Sequence, residues 1–322
     1  MNVLLLAFTP GTLSEEQLDQ VRAAAPDMEV VVTQDEREVE RVLDRVEIVA
    51  GRLPRKLLAK AGALRWMQQW GAGADWLMRF PEAAGMPFTL TNASGVHAVP
   101  ISEHILALML AFARQLPRAF RDQERQHWTP HEEPRNRVFE LAGSTVVLIG
   151  VGAIGERTAE IASALGMRVL GVRRAPQIGA PGVTAMAGPD QLLDLLPEAD
   201  FVVLTAPLTH ETKGMIGARE LGVMKRTAII INIGRGGTID EPALIAALQE
   251  GRIAGAGLDV FETEPLPSSS PLWAMDNVII TAHYAGLTPR YDERALGIFL
   301  DNLRRYRAGE PLRNVVDKEL GY

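Results

Sequence analysis

The sequence predicts an α/β protein of two doubly wound parallel-sheet units, and three observations predict it. Short runs of β-branched and aliphatic residues alternate with helix-like segments along nearly the whole chain, the pattern of parallel strands covered on both faces. One run, Thr145 to Ile149, leads straight into Gly150-x-Gly152-x-x-Gly155 and then a helix. The chain has 322 residues, enough for two separate cores.

Residues 1 to about 98 carry the first unit. Val3 to Phe8 reads as a strand, and Ser14 caps a helix with Gln17 at the capping-box position. Glu29–Val32, Ile48–Ala50, Leu64–Gln69 and Phe88–Thr91 are further short strands, with helix-like segments at Arg37–Val46 and Pro54–Ala61 between them. No phosphate-binding fingerprint occurs here. Directly after the strand at Leu64–Gln69 comes Trp70-Gly71-Ala72-Gly73-Ala74-Asp75. Exposed N–H groups in such a turn could hold a small anion, although the pattern alone is more often that of a plain strand-to-helix turn.

From Pro100 to about Gln115 runs an apolar helix, ISEHILALMLAFARQ, whose composition predicts burial between domains or subunits. Arg118 to Arg137 is charged and proline-spotted, a surface helix and loop with Trp128 isolated inside it.

The second unit starts near Leu141. Its opening run, STVVLIGVGAIGERTAEIASALGMRVLGVRR, reads strand, glycine turn, helix, strand, with Gly166 ending the helix. A bare GxGxxG is a weak signal; placed after a strand and opening a helix within a unit of about 30 residues, it marks a dinucleotide site. The first glycine permits the tight turn, the second lets backbone approach a pyrophosphate, and the third allows close packing. The helix N-terminus adds free N–H groups and positive dipole. Phe201–Thr205, Ala228–Ile233, Gly257–Phe261 and Val278–Thr281 complete a sheet of six expected strands. The last helix, Pro289 to Arg307, follows this unit and packs back on the first. The expected division is 1–98 with 287–322, and 99–286.

Composition excludes several functions. Hydrophobic residues make up 47% and charged residues 23%, ordinary globular values. The net charge of −7, with no basic block, speaks against nucleic acid. There is no cysteine, hence no disulfide, thiolate zinc site or cysteine nucleophile. Met1 to Phe8 lacks the basic flank and length of a signal peptide, and no run reaches the roughly 20 apolar residues of a membrane span. A cytoplasmic location is expected. Of the 6 histidines, His104, His127, His131 and His210 read as structural or surface and His97 as packing. None shows metal-ligand spacing, so no metal is expected.

Ligands of an open parallel sheet bind outside the carboxyl ends of its strands. Three such ends here carry Gly234-Arg235-Gly236, Glu262-Thr263-Glu264-Pro265 and Ala282-His283-Tyr284. One arginine, one carboxylate and one histidine on the same edge form a set that any one of them alone would not.

With those residues in view, the chain resembles the D-isomer-specific 2-hydroxyacid dehydrogenases, in particular glyoxylate/hydroxypyruvate reductase-like members, over nearly its whole length. The segments that carry the resemblance are GVGAIG, LTAPLTHETKGMI, INIGRGGTIDEPAL, LDVFETEPLP and TAHYAGLTPRYDER. The resemblance implies a Rossmann cofactor domain inserted in a flavodoxin-like substrate domain, and a homodimer. It also implies catalytic roles for Arg235, Glu264 and His283, and substrate-carboxylate binding by Trp70, Gly71, Ala72 and Gly73. Cofactor contacts are implied for Gly150, Gly152, Ala153, Ile154 and Gly155, for Thr205, Ala206, Pro207 and Thr212, and for Ile233, Gly234, Asp259 and Gly286. In the implied reaction Arg235 binds the carboxylate of a small 2-oxo acid, and hydride passes from NAD(P)H to C2. His283, oriented by Glu264, gives the proton, and domain closure excludes water.

Two other readings share this fold. A non-catalytic dinucleotide sensor or co-repressor need not keep all of Arg235, Glu264 and His283. A formate dehydrogenase would carry glutamine in place of Glu264. The chain departs from the family's NAD pattern at one point. Where NAD-selective members carry an acid for the ribose 2′-OH, this chain has Arg173, with Arg174 next and no acid from there to Gly182. Two guanidiniums suit a 2′-phosphate, so NADP is expected ahead of NAD. Trp128 is expected at the neighbouring subunit's cleft, where some relatives place an aromatic residue.

Overall fold

The computed structural model describes residues 1–130, 132 and 137–321, the side chain of Met78 excepted; His131 lies outside the described residues. The chain divides into two compact units, Met1–Val96 with Thr288–Tyr322, and His97–Leu287.

The first unit is a five-stranded parallel sheet in the order β2-β1-β3-β4-β5. Its strands are β1 (Val3–Ala7), β2 (Glu29–Val32), β3 (Val46–Gly51), β4 (Trp66–Gln68) and β5 (Thr89–Thr91). This is the flavodoxin-like order. Alternate residues of β1 feed opposite cores: Val3, Leu5 and Ala7 one side, Leu4 and Leu6 the other. That explains why the strand is apolar without a break. Helix α1 (Glu15–Ala24) begins with the expected capping box, Ser14 and Gln17 bonding each other's backbone N–H. The expected helix over Arg37–Val46 is shorter, α2 (Glu36–Val42), because Val46 already opens β3. The Pro54–Ala61 segment is the single turn α3 (Arg55–Leu58).

The last helix lies on this sheet, as its late position demands. It spans Tyr291–Ala308 and sends Leu296, Phe299 and Leu303 into the core beside Trp66 and Phe8. Each such fully buried side chain contributes roughly 1.5–3 kcal/mol. A buried chain of hydrogen bonds fixes the layer: the Trp66 indole donates to Thr91, Thr91 to Gln68, and Asn302 to the same Gln68 oxygen.

The second unit is a seven-stranded parallel sheet, ordered β12-β11-β10-β9-β6-β7-β8. The strands are β6 (Thr145–Ile149), β7 (Arg168–Val172), β8 (Ala185–Ala187), β9 (Phe201–Leu204), β10 (Ile229–Asn232), β11 (Gly255–Leu258) and β12 (Val278–Ile280). The expected count of six missed β8. Ala-Met-Ala lacks β-branched residues and is short, so it forms a strand only because β7 offers it an edge. The run expected as a strand over Gly257–Phe261 is displaced: it pairs over Gly255–Leu258 and releases Asp259 into the following turn. Both faces of the sheet are apolar. Val147, Leu170 and Val202 face one core; Val146, Val169 and Val203 face the other.

Helix α4 (Ala98–Ala113) packs Ile101, Ile105, Leu108 and Phe112 into the second of these cores. Its opposite face, expected to be buried, exposes Val99 and Leu110 in the single chain. Among the described residues no helix is long and apolar enough to cross a membrane.

Candidate active site

The order of the second sheet reverses between β6 and β9, which places the switch point beside the glycine turn. Each glycine there has a different reason. Gly150 has φ of 96°, and a Cβ on it would sit 2.6 Å from the Ala206 nitrogen. At Gly155 a Cβ would lie 2.5 Å from the Gly150 carbonyl oxygen. Gly152 has nothing within 4 Å of that position and serves as N-cap of the helix Ala153–Ala164. The turn is therefore tight where it folds on itself and open where a ligand would approach. Ala153, Ile154 and Gly155 form that helix's first turn, whose N–H groups suit a pyrophosphate. The residues present fit a dinucleotide.

Next to this turn, at the end of β9, the Thr205 hydroxyl bonds the Gly150 carbonyl and Ala206 packs on Gly150. The Thr212 hydroxyl bonds the Pro207 carbonyl at 2.6 Å and so holds its own loop. Ile233 is buried, and Gly234 approaches the Ala206 carbonyl too closely for any side chain.

Arg235, Glu264 and His283 follow β10, β11 and β12, three neighbouring strands. His283 Nδ1 lies 2.7 Å from Glu264 Oε2. A carboxylate only accepts, so Nδ1 carries the proton and donates, which leaves Nε2 for another partner. The second Glu264 oxygen accepts from the Phe261 N–H at 3.0 Å, so both of its oxygens are fixed. The Arg235 backbone is held by two residues that the sequence reading passed over. Thr238 donates to the Arg235 carbonyl at 2.7 Å, and the buried Asn232 donates to it at 3.0 Å. A polar Asn closing the apolar run of β10 was the available signal. Gly236 packs flush on the Phe261–Glu262 backbone, where a Cβ would overlap the Phe261 carbonyl. The arginine turn and the glutamate loop thus brace each other.

In the first unit the four carbonyls from Trp70 to Gly73, in the turn after β4, all accept hydrogen bonds. Tyr291 Oη donates to the Trp70 carbonyl at 2.8 Å, Ala93 N–H to Gly71 at 3.1 Å, and Asn92 Nδ2 to Ala72 at 2.8 Å. The Gln69 amide takes the Gly73 carbonyl. No bond from the N–H groups of Gly71, Ala72 or Gly73 occurs among the described residues. Successive unpaired N–H groups form an anion-binding concavity.

A sequence profile for "D-isomer specific 2-hydroxyacid dehydrogenase, NAD binding domain" matches residues 106–285. The chain belongs to this family. It is 34% identical over 311 residues to a glyoxylate reductase of Korarchaeum cryptofilum, covering 94% of this chain and 90% of that one. It is 35% identical over 268 residues to a D-3-phosphoglycerate dehydrogenase of Methanocaldococcus jannaschii, covering 83% of this chain but only 50% of that longer protein. Among solved structures, a D-isomer specific 2-hydroxyacid dehydrogenase of Xanthobacter autotrophicus in complex with NADPH and MES superposes with a TM-score of 0.85 at 30% identity, covering 100% and 99% of the two chains. An NADPH-dependent glyoxylate/hydroxypyruvate reductase of Sinorhizobium meliloti in complex with NADP and sulfate gives 0.83 at 29%, covering 100% of both. The dehydrogenase is thus NAD(P)-dependent and works on 2-hydroxy or 2-oxo acids.

In this dehydrogenase the two arginines beyond β7 are not surrounded only by neutral residues, as the local sequence implied. Arg173 Nη1 is 3.6 Å from Glu156 of the cofactor helix, and Arg174 Nη2 is 3.9 Å from Glu211. Both distances exceed a hydrogen bond. Each acid lies far from the arginines in sequence, which is why a local reading could not see it. Arg173 is the more buried of the two, its guanidinium steadied at the strand end.

Asp259 is buried and follows β11 directly. Its oxygens accept from Thr281 Oγ1 at 2.5 Å and from the N–H groups of Tyr284 and Ala285, each at 3.1 Å. The family resemblance implied cofactor contact for it; in the structure it shapes the turn that carries His283. His97 adjoins Gly286, with Nδ1 3.2 Å from the Gly286 carbonyl. Burial holds the His97 imidazole below its usual range, and the charges of Arg235 and His283 push the same way.

Proposed function

We propose that the chain reduces a small 2-oxo acid to the D-2-hydroxy acid, with glyoxylate and hydroxypyruvate as the first candidates and NADPH as the preferred donor. The observation that carries this reading is the His283–Glu264 pair, set on the strand edge next to Arg235. Arg235 pairs with the substrate carboxylate and polarises the C2 carbonyl. Taken by themselves, the Gly71–Gly73 amides suit a small anion such as a carboxylate. Bound NADPH supplies the hydride to C2. His283 donates the Nε2 proton to the developing alkoxide while Glu264 stabilises the imidazolium through Nδ1. The turn at Trp70–Asp75 has no lysine or arginine for a substrate phosphate, which favours unphosphorylated acids. Oxidation of NADPH and NADH measured across a panel of 2-oxo acids tests this directly. No turnover with any of them would favour the sensor reading instead.

Cofactor choice rests on Arg173. Arg173→Asp removes a cation and adds an anion beside the adenosine ribose site, so the KM for NADPH should rise by about 10²-fold. The KM for NADH should change by less than about threefold. A better kcat/KM with NADH in the unmodified protein would reject the preference.

A homodimer is part of the same reading. In the single chain Trp128 is 85% exposed and Phe120 59%, so among the described residues Trp128 has little apolar cover. We assign that cover to a second copy, and a solution mass of one chain would reject the assignment.

A further inference from the structure

His283 sits at φ of 53°, in the left-handed region that non-glycine side chains rarely adopt. Such a conformation persists only where its surroundings over-determine it. The segment Thr281–Gly286 must therefore be gripped, and the structure shows by what. The His283 N–H donates to the Asp259 carbonyl at 2.9 Å, and the Asp259 side chain takes the next two N–H groups.

Two further grips come from one helix. His104 Nε2 lies 3.2 Å from Thr281 Oγ1. The single Thr281 hydroxyl proton already goes to Asp259 at 2.5 Å, so Thr281 can only accept from His104, and Nε2 is the protonated nitrogen. The His104 ring also meets Tyr284 edge-on, with centroids 5.9 Å apart. At the far end of the segment, His97 Nδ1 lies 3.2 Å from the Gly286 carbonyl. A carbonyl accepts only, so Nδ1 is the donor there. A Cβ on Gly286 would come within 2.7 Å of that nitrogen, so the ring lies directly on the glycine. His97 is the N-cap of α4 and His104 lies seven residues on, two turns later and so on the same side of the helix.

We propose that His97 and His104 form a two-point clamp, fixed to α4, that holds the segment Thr281–Gly286 and thereby positions His283 for proton transfer. They are positioning residues; neither touches the reacting atoms. The inference rests on the reading of His283 as proton donor. What the clamp needs from each side chain is one N–H at a fixed place. Asparagine at 97 reproduces the Nδ1 donor and glutamine at 104 the Nε2 donor. Leucine reproduces neither.

The test compares the double variants His97→Leu/His104→Leu and His97→Asn/His104→Gln in the full-length protein. The single variant His104→Leu stands in if the first does not fold. Hydrogen exchange at the amides of Tyr284 and Ala285 reads the clamp without any turnover. Reduction of the best 2-oxo acid by NADPH reads its use. In the leucine variant exchange at both amides should quicken at least tenfold. Turnover should fall about 10–100-fold, the scale of an ångström-sized misplacement, while the KM for NADPH moves less than threefold. The asparagine–glutamine variant should stay within threefold of wild type in both readouts. Unchanged exchange in the leucine variant overturns the clamp, and so does equal loss in both double variants. Faster exchange with full turnover overturns the positioning role. His283→Ala is the separate control: full activity there would remove the proton-donor reading itself, and the use of the clamp with it.

Discussion

Replacing His283 with alanine is expected to lower turnover in the reductive direction by about 10²–10⁴-fold, the range contributed by a positioned general acid. Binding of NADPH should be nearly intact, because the Gly150–Gly155 turn belongs to β6 and the cofactor helix, apart from the turn that carries His283. Fluorescence titration with NADPH and steady-state rates separate the two effects. Glu264→Gln is the companion variant. Glu264 accepts at both oxygens, from His283 and from the Phe261 N–H. Glutamine has one acceptor, so it must release one of these bonds. It also removes the negative charge that favours the imidazolium. The rate should fall about tenfold by that loss of charge stabilisation. An unchanged rate would reject the pairing.

The second large effect belongs to Arg235. Arg235→Gln is expected to reduce kcat/KM for the 2-oxo acid by roughly 10²–10³-fold, the cost of leaving a substrate carboxylate without its charged, hydrogen-bonded partner. Arg235→Lys should recover only part of this, because an ammonium restores charge but not the two-pronged geometry. The backbone around the site should hold in both, since Asn232 and Thr238 grip the residue-235 carbonyl, not the side chain. A variant that kept its substrate KM and kcat would place the carboxylate elsewhere.

Much of the candidate site is legible in the sequence. The GxGxxG turn between β6 and its helix, the flanking strands and the Arg, Glu and His positions were all local patterns. Their meaning came from a general rule, that parallel strands present their carboxyl ends to ligands. The helix boundaries were less legible, since a run such as Arg37–Val46 contains a helix and the first residue of a strand with no break in composition. The strand at Ala185–Ala187 was invisible, because an edge strand of small residues forms by pairing and has no propensity of its own to announce it.

The sequence by itself determined the order of elements, the apolar cores on both faces of each sheet, and the chemistry available at the strand ends. Those follow from side-chain periodicity and residue type, which act over a few neighbours. Only the tertiary structure decided how that chemistry is aimed. His97 read as a packing residue and His104 as structural or surface until α4 brought them, across more than 170 positions of chain, to the turn that bears His283. Glu156 and Glu211 reached Arg173 and Arg174 in the same way. The carbonyls of Trp70, Ala72 and Gly73 are claimed by Tyr291, Asn92 and Gln69, partners that the local pattern could not show. Hydrogen bonds join groups that are close in space, and separation along the chain leaves no trace of them in a local pattern.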